Sequence, residues 1–409
     1  ILRQSRGFRL DGLEGAEVLV RAIDDWNRNL SLGLIWQARV GKGSLLVASA
    51  NLEGSFIERP AAYSLKQELL SYIASEHFRP EGEVTVDAVE EKLFPTFRSF
   101  SLVEKPEYEK MAEILKKHHI RYVLFNGGNG TMDTCGKLYK TCLEKGIEVG
   151  VMGIPKTMDN DIAVTDHSPG YGSAARYLAQ SVKEVCQDVK GLPIHVVVIE
   201  ASGRNAGWIT AAAAMAADED GVGPDLIYLP ERPFDEEKYL EDVKALLKKK
   251  SGIVVVASEG LKDKEGKPVV KPIFQIGRAT YFGDVSAHLA NLVIEKLGYK
   301  ARGEKPGLLG RASICLQSPV DLKEAQLAGE IACRAVMEGE TGKMVAFERV
   351  STEPYIMKPF LADIERVMMY EHKMPDSYIN PEGNQVTEAF KEWCRPLLGG
   401  DLPRMISFN

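Results

Sequence analysis

Unbroken apolar runs alternate with helical repeats from about residue 83 onward. Tyr108–His118 carries apolar residues at helical spacing, and the short apolar run Tyr122–Phe125 follows it. Thr134–Lys145 predicts the next helix. Further apolar runs lie at Val149–Met152, His195–Ile199 and Ile253–Ala257. Such strands, alternating with helices, are typical of a parallel sheet covered on both faces, so we predict an α/β fold.

The first 80 residues follow a different pattern. Two short apolar runs flank Gly41–Gly43, which indicates a strand, a turn and a second strand. The two runs are Leu34–Trp36 and Ser44–Ala48. Ser64–Ala74 then has helical spacing, and the breakers of Phe78–Gly82 mark a boundary. We therefore predict a small β-rich N-terminal module over residues 1–82 and a second domain over residues 83–409.

Part of this module resembles the C-terminal segment of a glycoside-hydrolase β-sandwich domain. The resemblance lies in the stretch GKGSLLVASANLEGSFIERPAAYSLKQELLSYIAS. This stretch contains no pair of carboxylates that could be assigned to sugar cleavage. We interpret it as a sheet-and-helix module, with glycan binding as the alternative.

Composition narrows the class of function. The chain has 51 basic and 58 acidic residues, a net charge of −7, which argues against a nucleic-acid partner. Its longest apolar run, Ala211–Ala217, is far shorter than the ~20 residues that cross a bilayer, so we expect no membrane partner. The six cysteines are scattered without a C-x-x-C pair, as in a reduced compartment. We expect a cytoplasmic protein.

A glycine-rich turn, Asn126–Thr131, lies directly between a predicted strand and a predicted helix. Glycine lets the backbone approach a ligand closely, and a helix start offers unpaired N–H groups and a positive dipole end. The turn can therefore hold an anion such as phosphate. A tight turn without a ligand is the alternative.

Two carboxylates follow the strand that ends near Gly153. Asp159 and Asp161 flank Asn160, and Lys156 precedes them. Carboxylates at this spacing can reach different targets, one a substrate hydroxyl and the other a metal, while a lysine keeps them ionised. A turn that caps the next helix is the alternative.

These segments resemble the phosphofructokinase family. NGGNGTMDT, GIPKTMDND and DHSPGYGSAARY are followed, in the family's order, by EASGRNAGW at 200–208, SEG at 258–260 and EKPGLLGR at 304–311. The resemblance covers about residues 100–375 and implies two Rossmann-like lobes with parallel sheets. It also implies magnesium-dependent phosphoryl transfer to the 1-hydroxyl of fructose 6-phosphate in glycolysis, giving fructose 1,6-bisphosphate, by a homo-oligomer.

The resemblance implies a role for each matching position. Asp159 matches the general base, Thr157 its neighbour at the transferring phosphoryl group, and Asp161 the acid at the magnesium site. The donor phosphates are expected on Gly127, Gly128, Asn129, Gly130 and Thr131. The sugar phosphate is expected on Gly203, Arg204, Glu259, Lys305, Arg311 and, from a neighbouring subunit, His195.

The identity of the phosphoryl donor depends on two positions. Lys156 is similar to the lysine of pyrophosphate-dependent members, where ATP-dependent bacterial enzymes usually carry glycine. Gly130 stands where pyrophosphate users typically have aspartate, and some ATP users combine that glycine with the lysine. We predict pyrophosphate as the donor and keep ATP as the alternative.

Two departures from the family pattern affect the donor side. Asn129 replaces an acid near the magnesium and is a weaker ligand for a hard cation, so Asp133 is a candidate to compensate. The family's glycine-rich donor loop is not found before residue 126. We therefore expect the domain to be incomplete at that loop, and a catalytically impaired sugar-phosphate-binding paralogue is the alternative to an active enzyme.

Two further groups have a structural interpretation. His167 precedes Ser168–Gly170 and is predicted to fix the turn near the site, with metal binding as the alternative. An apolar patch near the C-terminus is predicted to lie in the core. It comprises Met368, Met369, Tyr370 and Met374.

Overall fold

The computed structural model describes residues 8–10, 13, 15–23, 31–40, 42–48, 52, 60–84, 105–192, 194–217, 221–276 and 279–405. The chain divides into two compact units, Ile1–Glu107 and Tyr108–Asn409. The predicted boundary after residue 82 therefore lies inside the first unit.

The described part of the first unit contains a four-stranded antiparallel sheet. The long strand β3 pairs with each of the other three strands. The elements are β1 (Phe8–Arg9), β2 (Glu17–Ile23), β3 (Ser31–Val40), β4 (Gly43–Ala48) and α1 (Pro60–Ile73). Trp36 is fully buried and packs with Leu10, Leu13 and Val84. The strand–turn–strand prediction and the helix prediction are confirmed, although Gly41 lies outside the described residues.

The first sheet of the second unit has the order β14-β13-β6-β5. Strands β5, β6 and β13 are parallel, and β14 runs antiparallel at the edge. The strands are β5 (Tyr122–Gly127), β6 (Gly150–Pro155), β13 (Lys343–Ser351) and β14 (Ile356–Asp363). The associated helices are α2 (Lys105–Lys117), α3 (Asn129–Glu144) and α9 (Pro319–Met337).

The second sheet is entirely parallel, with the order β12-β7-β9-β8. Its strands are β7 (Val196–Ala201), β8 (Leu226–Tyr228), β9 (Ile253–Ser258) and β12 (Ala301–Glu304). Alternate residues of β7 enter two separate cores: Val197 packs in the cluster that contains Trp208, and Val198 in the cluster that contains Tyr239. Both faces of this sheet are therefore covered, as the continuous apolar runs predicted.

The remaining elements complete the two lobes of the second unit. The longer helices are α4 (Tyr171–Gly191), α6 (Glu236–Leu247) and α7 (Val285–Leu297). The short helices are α5 (Trp208–Ala212), α8 (Leu309–Ala312), α10 (Ile364–Val367) and α11 (Glu388–Cys394), with 3-10 turns at Ala213–Ala216, Asp376–Tyr378 and Arg395–Leu398. A hairpin is formed by β10 (Pro272–Ile276) and β11 (Ala279–Phe282). Among the described residues, we find no helix with the length and apolar character needed to cross a membrane.

One helix begins earlier than its sequence pattern predicted. Helix α3 begins at Asn129 rather than Thr134, because the glycine-rich turn itself forms the first helical turn. The N–H groups of Thr131 and Met132 both donate to the carbonyl of Gly128. The predicted phosphate-binding residues therefore lie on the helix start.

A pair of glycine substitutions tests how closely the loops after β7 and β9 pack. A Cβ at Gly260 would overlap the carbonyl oxygen of Arg204, so we expect Gly260→Ala to lower the unfolding free energy by about 1–3 kcal/mol. Gly329 in α9 has open space around its Cβ position, so Gly329→Ala should raise stability by about 0.5–1 kcal/mol. Urea denaturation measures both changes, and the same sign for both would contradict this packing.

Candidate active site

The glycine-rich turn and the loop after β6 lie side by side. The N–H of Lys156 donates to the carbonyl of Gly127 at 3.0 Å, and a Cβ at Gly128 would lie 3.5 Å from Cβ of Thr157. A Cβ at Gly130 would have no neighbour within 4 Å. No side chain caps the start of α3. A helix start without a side-chain cap therefore lies beside Lys156, as an anion site requires.

The loop after β6 has a defined and partly strained backbone. The hydroxyl of the buried Thr157 accepts the N–H of Asp159 at 3.1 Å. Asn160 is fully buried at φ 54°, a left-handed conformation that asparagine tolerates better than most residues. Its side-chain oxygen accepts the N–H of Ser168 at 2.9 Å. The two aspartates therefore have a fixed position relative to each other.

The electrostatic environment of Asp159 and Asp161 disfavours their charged forms. Burial raises the pKa of the Asp159 carboxyl to about 6. The negative charges of Asp161 and Glu259 add to this shift, whereas Lys156 opposes it. Burial also raises the pKa of Asp161, and its Oδ1 is buried without a hydrogen-bond partner among the described residues. Both carboxyls are thus poised to gain a cation or to accept a proton.

The loops after β7 and β9 meet each other, and Glu259 in the second loop lies within electrostatic reach of Asp159. The N–H of Gly203 donates to Oε1 of Glu259 at 3.2 Å, and Ser258 Oγ donates to the carbonyl of Gly203 at 2.8 Å. Gly203 has φ 114°, a conformation that favours glycine. The exposed Arg204 places its guanidinium 5.5 Å from the ring centre of Phe282. The structure therefore brings the predicted base together with the SGR and SEG segments.

Three predicted sugar-phosphate residues have different surroundings. Lys305 forms ion pairs with Glu200 at 2.8 Å and Asp284 at 2.6 Å, so two carboxylates already balance its charge. Arg311 is exposed on α8. His195 precedes the amino end of β7, roughly 20 Å from Ala201 at the carboxyl end of that strand, at the usual rise of a strand. The structure does not bring His195 to the site of the same chain, and its contact with a neighbouring subunit stays a prediction.

The sequence patterns missed a segment that contacts the predicted catalytic loop. The N–H of His372 donates to the carbonyl of Asp161 at 2.8 Å, and Asn205 Nδ2 donates to Glu371 Oε1 at 2.9 Å. Met368 and Met374 are buried as predicted, but Met369 and Tyr370 are 73% and 60% exposed, so their core assignment was wrong. The segment turns outward at Met369, which has φ 67°. No spacing in the sequence signals this contact.

Among the described residues, no preformed metal cluster lies at the site, and the two cavities described below lie elsewhere. Among the described residues, no group of three or more His, Cys, Asp or Glu side chains could hold a metal ion. A cavity of about 750 Å³ lies at the opposite end of β5 and β6, near Tyr122 and Gly150. Another of about 480 Å³ lies between α4 and β12. Neither is lined by Asp159, so chemistry rather than volume locates the site.

Comparisons with known proteins identify the family of the chain. The Phosphofructokinase family matches residues 92–336, and a domain of unknown function, DUF8487, matches residues 1–94. The pyrophosphate–fructose 6-phosphate 1-phosphotransferase of Xanthomonas campestris pv. campestris (strain B100) is 38% identical over 73% of each chain. The protein of the same name from Rhodospirillum rubrum is 35% identical over 81% of this chain and 84% of its own.

Solved structures of phosphofructokinases are also similar to this chain. The pyrophosphate-dependent phosphofructokinase from Nitrosospira multiformis is 34% identical, with a TM-score of 0.66 over 74% of each chain. This likeness confirms the predicted α/β fold with parallel-sheet lobes. Because the family matches most of the chain and four relatives at 34–38% identity are named pyrophosphate–fructose 6-phosphate 1-phosphotransferase, the chain belongs to the phosphofructokinase family and is most similar to its pyrophosphate-dependent members.

Proposed function

We propose that the protein transfers a phosphoryl group from pyrophosphate to the 1-hydroxyl of fructose 6-phosphate, giving fructose 1,6-bisphosphate. The observation that carries this proposal is the position of Asp159. Its carboxyl has a pKa of about 6 and lies within electrostatic reach of both Lys156 and Glu259. A proton acceptor near an anion site and a polar loop is the arrangement that phosphoryl transfer to a hydroxyl needs.

Asp159 acts as the general base. It accepts the proton of the sugar's 1-hydroxyl while that oxygen attacks phosphorus, so it must be ionised when the substrate binds. A pKa of about 6 leaves it ionised at neutral pH and still basic enough to take the proton. Lys156, the hydroxyl of Thr157 and the N–H groups at the start of α3 stabilise the negative charge on the transferring group.

The sugar phosphate binds on the loops after β7 and β9. Glu259 accepts hydrogen bonds from the sugar hydroxyls, and the N–H of Gly203 orients its carboxylate. Arg204 and Arg311 supply exposed positive charge for the phosphate. Lys305 contributes only if substrate phosphate competes with Glu200 and Asp284 for its ammonium group. His195 contributes only across a subunit contact.

Magnesium fits one part of the site. Asp161 has a buried oxygen without a partner among the described residues, and so does Asp133. Carboxylate and amide oxygens are the ligands that Mg²⁺ accepts, together with several waters, so Asp161 with Asn129 or Asp133 would hold it. When bound, Mg²⁺ neutralises charge on the phosphate oxygens.

Three further features belong to the same proposal. The residues matched by DUF8487 end where the phosphofructokinase match begins, which supports a separate N-terminal module. We assign the transfer reaction to the second domain, and we propose a cytoplasmic homo-oligomer. ATP in place of pyrophosphate remains the alternative donor.

A coupled assay with purified protein, fructose 6-phosphate, Mg²⁺ and either pyrophosphate or ATP tests the function. We expect turnover of about 1 per second or more with pyrophosphate, within the usual range for kinases. Binding of fructose 6-phosphate without turnover on either donor would instead favour the catalytically impaired sugar-phosphate-binding paralogue.

Asp159→Asn tests the assignment of the base. The isosteric amide cannot accept the proton, so we expect kcat to fall by about 10²–10⁴-fold with little change in KM for the sugar phosphate. Removal of a buried carboxylate with a raised pKa should also raise the thermal midpoint. Asp363→Asn, at an exposed carboxylate, is the control. A kcat that stays within about tenfold of wild type would show that another group is the base.

The pKa of Asp159 predicts a pH dependence. Protonation below about pH 6 removes the acceptor, so kcat/KM for the sugar phosphate should fall about tenfold per pH unit below that value. The substrate phosphate also titrates near pH 6, and a variant separates the two effects. Lys156 lowers the pKa of Asp159, so Lys156→Gly should move the acid limb to higher pH. If the acid limb of the pH profile does not move in this variant, the limb reports titration of the substrate phosphate rather than of Asp159.

Lys156→Gly also tests the donor. Loss of the ammonium group removes a charge-assisted contact with the diphosphate and leaves room for a longer nucleotide chain. We expect the ratio of kcat/KM for pyrophosphate over ATP to fall by about tenfold or more. Lys42→Gly, in the exposed turn between β3 and β4, is the control. An unchanged ratio means that Lys156 does not discriminate between the donors.

A further inference from the structure

His167 lies fully buried between two carboxylates. Its Nδ1 is 2.8 Å from Asp166 Oδ2, and its Nε2 is 2.6 Å from Glu324 Oε2 on α9. A carboxylate that is ionised can only accept, so each ring nitrogen must carry a hydrogen. With both carboxylates ionised, the ring is an imidazolium, whose nitrogens have no lone pair for a metal ion. This arrangement favours the structural interpretation of His167 over metal binding.

The charge balance of the cluster agrees with this assignment. Arg349 donates to Asp166 Oδ2 at 2.9 Å, and Tyr355 donates its hydroxyl to Glu324 Oε1 at 2.7 Å. Two carboxylates against one guanidinium leave one negative charge, and the imidazolium cancels it. Although burial opposes it, hydrogen bonding to Asp166 and Glu324 raises the pKa of His167 to about 9. A buried charge without a partner would be costly, so each member depends on the others.

His167 belongs to a short segment, residues 165–170, which we call the strap. On one side the strap joins the sheet: Asp166 N–H donates to the carbonyl of Phe347 in β13 at 2.8 Å. On the other side it joins the catalytic loop. Ser168 N–H donates to Asn160 Oδ1 at 2.9 Å, and the N–H of Thr157 donates to the carbonyl of Pro169 at 3.0 Å. The strap therefore connects the residues on both sides of Asp159 to the core.

The loop that the strap holds has an unfavourable backbone. Asn160 has φ 54° and Val164 has φ 71°, and the second value is a genuine outlier for a β-branched residue. Such conformations persist only where the surrounding structure over-determines them. The strap and its ionic cluster, with the backbone bond from His372 to Asp161, supply that constraint.

We propose that His167 is a positioning residue of the transfer reaction, whose imidazolium bridges Asp166 and Glu324 and thereby fixes the strap and the base Asp159. The proposal rests on the proposed function, because it assigns the effect to Asp159. His167 touches neither substrate nor the reacting atoms, so it acts through the strap. Its loss should change kcat far more than substrate affinity.

His167→Gln is the first test, in the full chain. We expect kcat to fall by about 100-fold, the size of effect that an ångström-scale displacement produces, with KM for fructose 6-phosphate within about threefold. His288→Gln removes a half-buried histidine that lies 2.7 Å from Glu236, outside the proposed site, and should leave kcat unchanged. A His167→Gln variant with a lower thermal midpoint but wild-type kcat would overturn the proposal.

A double-variant cycle separates positioning from general stability. In the Asp159→Asn background there is no base to position, so His167→Gln should change kcat by less than about threefold. A full additional loss in that background would overturn the proposal. Glu324→Ala removes both the acceptor of His167 Nε2 and the charge that balances the imidazolium, so it should lower kcat as much as His167→Gln does.

A measurement on the wild-type protein tests the proposal even if the variants do not fold. Nitrogen NMR of histidine-labelled wild-type protein should show both ring nitrogens of His167 protonated at pH 8, where an ordinary histidine is neutral. A neutral ring at that pH would overturn the proposal. Absence of wild-type turnover on both donors would defeat the proposed function and, with it, the positioning role of His167 in the transfer. The ring protonation and the protection of the Ser168 amide from exchange would still test the bridge itself.

Discussion

Repulsion between carboxylates in a confined space is the constraint on which this structure depends. Asp159, Asp161 and Glu259 lie within electrostatic reach of each other, and burial raises the pKa of Asp159 to about 6. Carboxylates in such positions move apart or become protonated unless rigid elements hold them. Here the ends of parallel strands hold them: Asp159 follows β6, and Glu259 follows β9. Because of this repulsion, binding of a cation or of a proton to these carboxylates is favourable.

The positive charge that balances these carboxylates lies on two sides of the site. Lys156 and the helix start at Asn129 face the open side, where a phosphate is expected. His167 lies on the closed side, where Asp166 and Glu324 surround its ring. Lys156 is exposed, so a substrate phosphate can bind to it. His167 is buried, so its ion pairs with Asp166 and Glu324 do not exchange with substrate. The transfer of negative charge needs the exposed positive charge at Lys156. The loop that contains two left-handed residues needs the buried ion pairs of His167 to hold its backbone.

Some predicted sites depend on more than one element, and there the sequence was less informative. Lys305 matches a phosphate-binding position, yet Glu200 and Asp284, distant in sequence, approach within 2.8 Å of its ammonium group. The segment around Glu371 carried only an apolar pattern, but its backbone pairs with Ile162 beside the catalytic loop. These contacts join residues 21, 105 and 209 positions apart, so no local spacing encodes them.

The sequence by itself determined the parallel strands, the glycine-rich turn and the order of the motifs, because periodicity and strand-end chemistry are local properties. It also identified Asp159, Asp161 and Arg204 through a resemblance that the comparisons confirm at the level of the family. Only the tertiary structure decided that β6 and β9 bring Asp159 and Glu259 together, and that His167 meets Glu324, 157 residues away. These outcomes require the packing of separate helices and sheets, since electrostatic shifts and buried ion pairs arise from proximity in space rather than along the chain.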